Sequence, residues 1–243
     1  MTTSTVMDTG MLDRRSLRLA AMLLLVGQLM YVLITLLHTG GEANNHPAIF
    51  AAYAVSDIWT GVHVAQFACM AIMLAGFLAL FFAMDAPRGT AGWAARFGAA
   101  ATVATLAIYG VVLGVDGVAL KQAVNAWASA PEAEKAARFA VAEGMRWLEW
   151  GTRSYENFTL GLSVLLFAIA MARTARVPRP TPYLMGLSTL AYWVQGWAAG
   201  TQGFSQTQST AIVLAEVLNA TWMVWLLVVA RRMPDREPAS LGR

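Results

Sequence analysis

At 243 residues, with 58% hydrophobic and only 13% charged side chains, the chain is too apolar for an ordinary soluble domain, in which about a quarter of the residues are charged. The formal net charge of +3 comes from basic residues set singly at the ends of apolar runs. No basic tract is interleaved with aromatics, so nucleic acid is not expected as a partner. The one cysteine, Cys69, lies inside an apolar run, which excludes an intramolecular disulfide and leaves it a packing residue.

Residues 1–13 are rich in Thr and Met without periodicity and read as a disordered tail, with either Met1 or Met11 as the start. Arg14, Arg15 and Arg18 precede the apolar run 19–37, which is long enough to span a bilayer. Preceding positive charge and Gly41-Glu42-Ala43 also fit a secretory signal peptide. The apolar core exceeds the usual length of about 7–15 residues, so the run reads as a retained first span over 17–38. The next loop carries TGGEANNHP, a cluster of turn formers, and then AIFAAYAVS, which suits a short interfacial helix.

The second span, 59–84, has Trp59, His63, Gln66 and Met70 on one face and stops at Asp85-Ala-Pro-Arg-Gly. The third, 96–120, carries a small-xxx-small step at Gly110 and Gly114, with Asp116 near its end. PEAEKAARFAVAEGMRW begins an amphipathic outer helix over 131–150, with Pro131 at its start. It runs on, with a kink near Gly151, into the fourth span, 153–173. The fifth span, 183–202, holds Tyr192, Trp193, Gln195 and Trp197 with a second small-xxx-small step at Gly196 and Gly200. The sixth, 210–230, holds Glu216, Asn219 and Trp222, and 233–243 is a polar tail read as disordered. The expected fold is an all-α polytopic membrane bundle of six transmembrane helices with one or two interfacial helices. Arg14, Arg15, Arg18, Arg88, Arg96, Arg173, Arg176 and Arg179 all fall on one side of that arrangement, together with four more arginines after the sixth span. Both termini are therefore expected in the cytoplasm of a bacterial inner membrane.

The chemistry concentrates in EGMRWLEWGTRSYEN, at 143–157. On a helix, Glu149, Arg153 and Glu156 share one stripe, with Asn157 beside it. Counting back from Arg173 at about 1.5 Å per residue places Glu156 about 25 Å up a hydrocarbon layer roughly 30 Å thick. Ionisable groups at such depth face a bundle interior or a wet cavity and point to function. An ion pair of Arg153 with Glu149 or Glu156 that closes the helix end is the structural alternative. The same count puts Glu216 about 22 Å above Arg231, the deepest carboxyl group of the chain. Asp116, His63 and Gln195 approach that level or the outer boundary from three other helices, and the opposite halves of the spans are almost wholly apolar.

A polar and aromatic cup open toward the outer side or the outer leaflet follows, and it suits a lipophilic small molecule. A carboxyl group taken out of water can keep its proton, as a general acid or proton relay requires. Glu216 is the candidate acid, Glu156 or Asp116 its partner, and Arg153 the orienting charge. His63, Gln66, Asn157, Tyr192, Trp193, Gln195, Asn219 and Trp222 are the candidate ligand-binding residues, their aromatic faces also suited to a cation. Hydrogen bonding of Glu216 to Asn219 or to a neighbouring helix is the alternative for that residue. His38, His46 and His63, with Asp57, Asp116 or Glu42, could hold a metal, and His38 with His63 a haem. HExxH, paired i, i+4 histidines and a Cys-rich cluster are all missing, so no metal is assigned and the cofactor stays open. There is no GxGxxG, Walker loop or GxSxG elbow, which disfavours nucleotide-driven and serine-hydrolase chemistry. Besides the enzyme reading, two remain: a small-molecule or proton-coupled transporter using the same carboxyls, and a non-enzymatic binding or sensor protein whose outer helix docks a partner.

HTGGEANNHPAIFAAYAVSDIWTGVHVAQF, followed by an apolar span and later by RWLEWGTRSYENFTLGLS, resembles the small six-helix bacterial membrane proteins of a family with no established activity. The resemblance covers most of residues 14–232 and is one of layout and loop style, so it implies the fold and carries no site residues. A fainter likeness, in size and in acid and aromatic content, is to small integral-membrane terpene cyclases, which have seven spans. No residue roles are carried over from them.

Overall fold

Apolar runs of membrane-spanning length must satisfy their backbone polar groups internally, and a helix does so within each segment. The computed structural model describes residues 14–84, 89–173 and 177–233, and every regular element among them is helical. The order is α1 (Arg14–Thr35), α2 (His46–Ala54), α3 (Trp59–Ala83), α4 (Thr90–Gly114), a π-helical segment (Val115–Leu120), α5 (Lys121–Ala128), α6 (Glu132–Ala172), α7 (Pro180–Gln202) and α8 (Gln206–Arg232). Five stretches are long and apolar enough to cross a membrane: Arg14–Thr35, Trp59–Ala83, Thr90–Ala128, Glu132–Ala172 and Gln206–Arg232.

Composition and length thus support five of the six expected spans. The expected fifth, 183–202, falls in α7, whose Ser, Thr and Gln residues dilute its hydropathy; Thr189 and Gln195 among them bond to neighbouring helices. Thr189 donates to the Gly161 carbonyl of α6 at 3.2 Å. A Cβ on Gly196 would lie 2.9 Å from the Ser154 carbonyl oxygen, and one on Gly200 2.9 Å from Ser154 Oγ. This small-xxx-small step is a true close approach of α7 to α6. The step expected at Gly110 and Gly114 is not: the nearest atom to a Cβ on Gly110 is 3.6 Å away, and Gly114 faces open space. The tightest crossing is instead α1 on α3, where a Cβ on Gly27 would meet Met73 N at 2.5 Å.

The outer helix expected over 131–150 and the fourth span form one helix, unbroken through Gly151. At about 1.5 Å per residue α6 is roughly 60 Å long, twice a hydrocarbon core, so its first half stands beyond the bundle. Glu132 and Glu134 sit in its first turn, where carboxylates complement the positive end of the helix dipole. That half, with α2 and α5, packs a cap around Ile49, Phe50, Tyr53, Trp59, Leu120 and Val124. Asn45 caps α2 by accepting from Ala48 N. Lys121 closes the other end of α2, its Nζ donating to the carbonyls of Tyr53, Ala54 and Ser56 at 2.6, 3.0 and 3.0 Å.

The opposite end of the bundle is filled by Leu17, Leu24, Leu74, Phe77, Leu80, Phe167, Trp222 and Leu226, all buried. The tails expected over 1–13 and 233–243 and the stop at 85–89 lie outside the described residues, apart from Gly89 and Met233.

Candidate functional site

Between the cap and the packed end is a cavity of about 530 Å³. It is lined by four carboxyl groups, Asp116, Glu149, Glu156 and Glu216, and two guanidinium groups, Arg146 and Arg153, drawn from α6, α8 and the π-helical segment. His38, Gln66, Asn157, Tyr192 and Gln195 are among its other polar residues, and Met70, Met73, Leu160, Ile212 and Val213 among its apolar ones. All four expected catalytic residues therefore face one cavity, as do four of the eight expected binding residues.

The lining residues that are exposed come from two sides: Thr35, Leu36, Gly40 and Gly41 at and after the end of α1, and Ile212 and Val213 on α8. The exposed rim of the cavity thus lies between the end of α1 and the start of α8. Its roof is stapled by Asn44, whose Nδ2 donates to the Gln202 carbonyl at 2.9 Å and whose Oδ1 accepts from Phe204 N at 3.1 Å. Two larger furrows, of about 950 and 610 Å³, run along the flank of α7 and α8; their walls are apolar apart from a few threonines, Gln206 and Arg232.

The charged stripe of α6 is paired differently from the expected Arg153 ion pair. Arg146, two turns before Arg153, donates through Nη1 to Glu149 at 2.7 Å, with both side chains almost fully buried. Its Nη2 reaches the Ala43 carbonyl at 3.3 Å, and its guanidinium lies 4.5 Å from the Phe204 ring centre. Arg146 is thus a tie between α6 and the roof, and the i, i+3 spacing to Glu149 was the signal for it. Arg153 instead lies 5.4 Å from the centre of the Tyr109 ring, a cation–π arrangement. Glu156 Oε1 is buried with no hydrogen-bond partner among the described residues.

Glu216 is bonded not to Asn219 but to a neighbouring helix, the other arm of the structural alternative: Gln28 Nε2 of α1 donates to its Oε2. Gln28 is a lone amide in the middle of an apolar run, the kind of residue that marks an interior partner, and the sequence reading passed over it. Asn219 holds Tyr192 and Trp222 in place, donating to the Tyr192 hydroxyl and accepting from Trp222 Nε1 at 3.0 Å. Neither Asn219 nor Trp222 lines the cavity, and both belong beneath it. Trp193 is also outside the cavity wall: its Nε1 donates to the Phe158 carbonyl at 3.3 Å. Gln66 and Gln195 line the cavity but donate to protein, to Thr35 Oγ1 at 3.1 Å and the Ala211 carbonyl at 3.2 Å. Asn157 Nδ2 turns back to the Arg153 carbonyl at 3.0 Å.

Of the three histidines, His46 pairs with Glu143 at 2.8 Å, away from the other two. His38 and His63 stand with their rings 5.0 Å apart, and His63 Nε2 is 3.0 Å from Asp116 Oδ2. The π-helical segment brings Asp116 there. Such a turn shifts the register of the helix by one residue and occurs often at functional sites. Gly117 makes the approach possible, since a Cβ on it would lie 2.6 Å from His63 Cβ. Trp59 Nε1 donates to the Asp116 carbonyl at 3.0 Å, which holds the segment. Above the bundle, burial holds the His38 imidazole below the usual histidine range, and burial likewise pushes the Tyr53 hydroxyl up.

Comparison of the chain with protein families, with curated proteins and with solved structures finds no match in any of the three. The functional reading therefore rests on the chemistry of this cavity.

Proposed function

We propose that the chain is a multi-pass membrane protein, with α7 as a sixth span and both termini cytoplasmic, that performs acid–base chemistry on a lipophilic small molecule. It would belong with the small six-helix bacterial inner-membrane proteins that its layout resembles. The observation that carries this reading is the cavity of about 530 Å³ that gathers four carboxyl and two guanidinium groups and has its exposed rim between α1 and α8. Its volume falls within the range of small-molecule sites. A lateral mouth flanked by exposed Leu36 and Val213 suits a substrate that arrives through lipid, and the polar wall suits a polar head at its inner end.

Glu216 acts as the general acid, oriented by the Gln28 amide. Glu156, with an unpartnered buried oxygen, is the second proton-handling group, and Arg153 orients the head group. Arg146 and Glu149 hold the roof. General acid–base groups typically supply about 10²–10⁴-fold in rate.

The test recovers whatever organic molecule is retained when full-length protein is purified in mild detergent, identifies it by mass spectrometry, and returns it to the protein. Wild type converts it, Glu216→Gln slows conversion about 100-fold or more while keeping the fold, and Val213→Trp at the mouth blocks uptake. Retention and conversion unchanged in both variants would refute the reading.

A further inference from the structure

We propose that His38, His63 and Asp116 form a binding site for one divalent transition metal of the zinc or ferrous type, at the wall of the cavity. A ring nitrogen of each histidine and one oxygen of Asp116 lie within 4.8 Å of one another. The three come from the loop after α1, from α3 and from the π-helical segment, so the tertiary fold assembles them.

The hydrogen bonds decide what these groups can do. His63 Nδ1 lies 2.7 Å from the Trp59 carbonyl oxygen. A carbonyl only accepts, so Nδ1 carries the hydrogen and the neutral ring offers a lone pair at Nε2. His38 Nδ1 is 3.0 Å from the Thr39 carbonyl oxygen, which leaves its second ring nitrogen free in the same way. Donation of one ring N–H to a backbone carbonyl is how ligating histidines are held in the metal-binding tautomer. Here it occurs twice, in rings on either side of one carboxylate.

His63 Nε2 then faces Asp116 Oδ2 at 3.0 Å as one lone pair facing another. Something positive must lie there. A proton shared by these two atoms is the simpler occupant. It leaves Asp116 Oδ1, which is buried without a hydrogen-bond partner among the described residues, and the free nitrogen of His38 both unserved. A metal ion in place of that proton is held by His63 Nε2, one Asp116 oxygen and the free nitrogen of His38 at once. Ligand atoms around an ion with bonds of about 2.0–2.2 Å stand about 3.0–3.5 Å apart; His63 and Asp116 already stand at that spacing, and His38 has at most about 1.8 Å to close.

Donor chemistry selects the ion. Two imidazole nitrogens and one carboxylate oxygen suit zinc or ferrous iron and not the oxygen-seeking magnesium or calcium. Three protein ligands leave coordination positions open, and both His38 and Asp116 line the cavity, so those positions face it. Charge agrees: with four carboxyl against two guanidinium groups on the wall, a dication is accommodated. This site goes beyond the acid–base reading and stands or falls on its own ligands.

The test uses metal alone. Full-length protein in mild detergent is stripped with chelator and titrated with Co²⁺, whose visible absorption bands report nitrogen and oxygen ligation, and Zn²⁺ is then used as competitor. The expected result is one equivalent bound and displaced by Zn²⁺. His38→Ala and Asp116→Asn should weaken binding at least about 100-fold, while His46→Ala, outside the cluster, should bind as wild type does. His38 is on a loop and only partly buried, so His38→Ala reports on the site even if a core ligand variant fails to fold. Absence of a one-equivalent site, or Co²⁺ bound equally well by His38→Ala, would overturn the proposal.

Discussion

The two ends of the bundle are built on opposite rules. The far end is closed by Phe77, Phe167, Trp222 and large aliphatic side chains, and between it and the cavity α1 and α3 touch through Gly76 against Leu24 and Gly27 against Met73. The cap end leaves a cavity open and buries Arg146, Glu149, Glu156, Asp116 and His63 around it. Burying charge is costly, and a buried pair is often no more stable than an apolar replacement. The far end therefore carries the stability, and the cap end holds an arrangement that stability alone does not call for.

The largest effect expected from this contrast is at the α1–α3 crossing. Gly27→Val would set side-chain atoms on the Met73 backbone, and detergent-solubilised protein should lose its monodisperse peak on size exclusion. At the packed end, Phe167→Ala should lower stability by about 3–5 kcal/mol, since the cavity it leaves is only partly refilled. This can be followed by thermal unfolding. Arg146→Met at the cap end should cost a similar amount, about 3–5 kcal/mol, because Glu149 is left buried and unpaired. The double variant Arg146→Met/Glu149→Met should recover most of it. A double variant no better than the single one would make the pair a true pillar of the fold and blur the contrast.

Smaller still is the expected effect of Glu156→Gln on stability: unchanged within about 1 kcal/mol, or raised, because an amide replaces a carboxyl group whose Oε1 has no partner. Turnover should nevertheless fall. A melting temperature lowered as far as in Phe167→Ala would mean that Glu156 is structural.

The expectation of an all-helical chain and of most spans followed from apolar run length, and the site from the depth of Glu156, Asp116 and Glu216 along their helices. Depth is a one-dimensional quantity, so it brought these residues to one level without saying which faces met. That is why Tyr192 faces the cavity while its neighbour Trp193 turns to the Phe158 carbonyl. Trp222 likewise lies below, fully buried. The π-helical turn at Asp116 has no signature in hydrophobic periodicity, since it shifts the helix by a single residue. Gln28 was legible, as an amide inside an apolar run, and Arg146 was legible from its spacing to Glu149. α7 falls below the other spans in composition because it carries Ser, Thr and Gln residues, of which Thr189 bonds α6 and Gln195 bonds α8.

The central claim is that the cap end of the bundle holds a lipophilic molecule reached from the membrane. A cryo-electron microscopy map of the full-length protein in lipid nanodiscs tests it most directly. The account predicts elongated density in the cavity, its polar end at Arg153 and Glu156 and its tail passing between Leu36 and Val213. A cavity filled only by water-sized features, or closed by collapse of α8 onto α1, would contradict it.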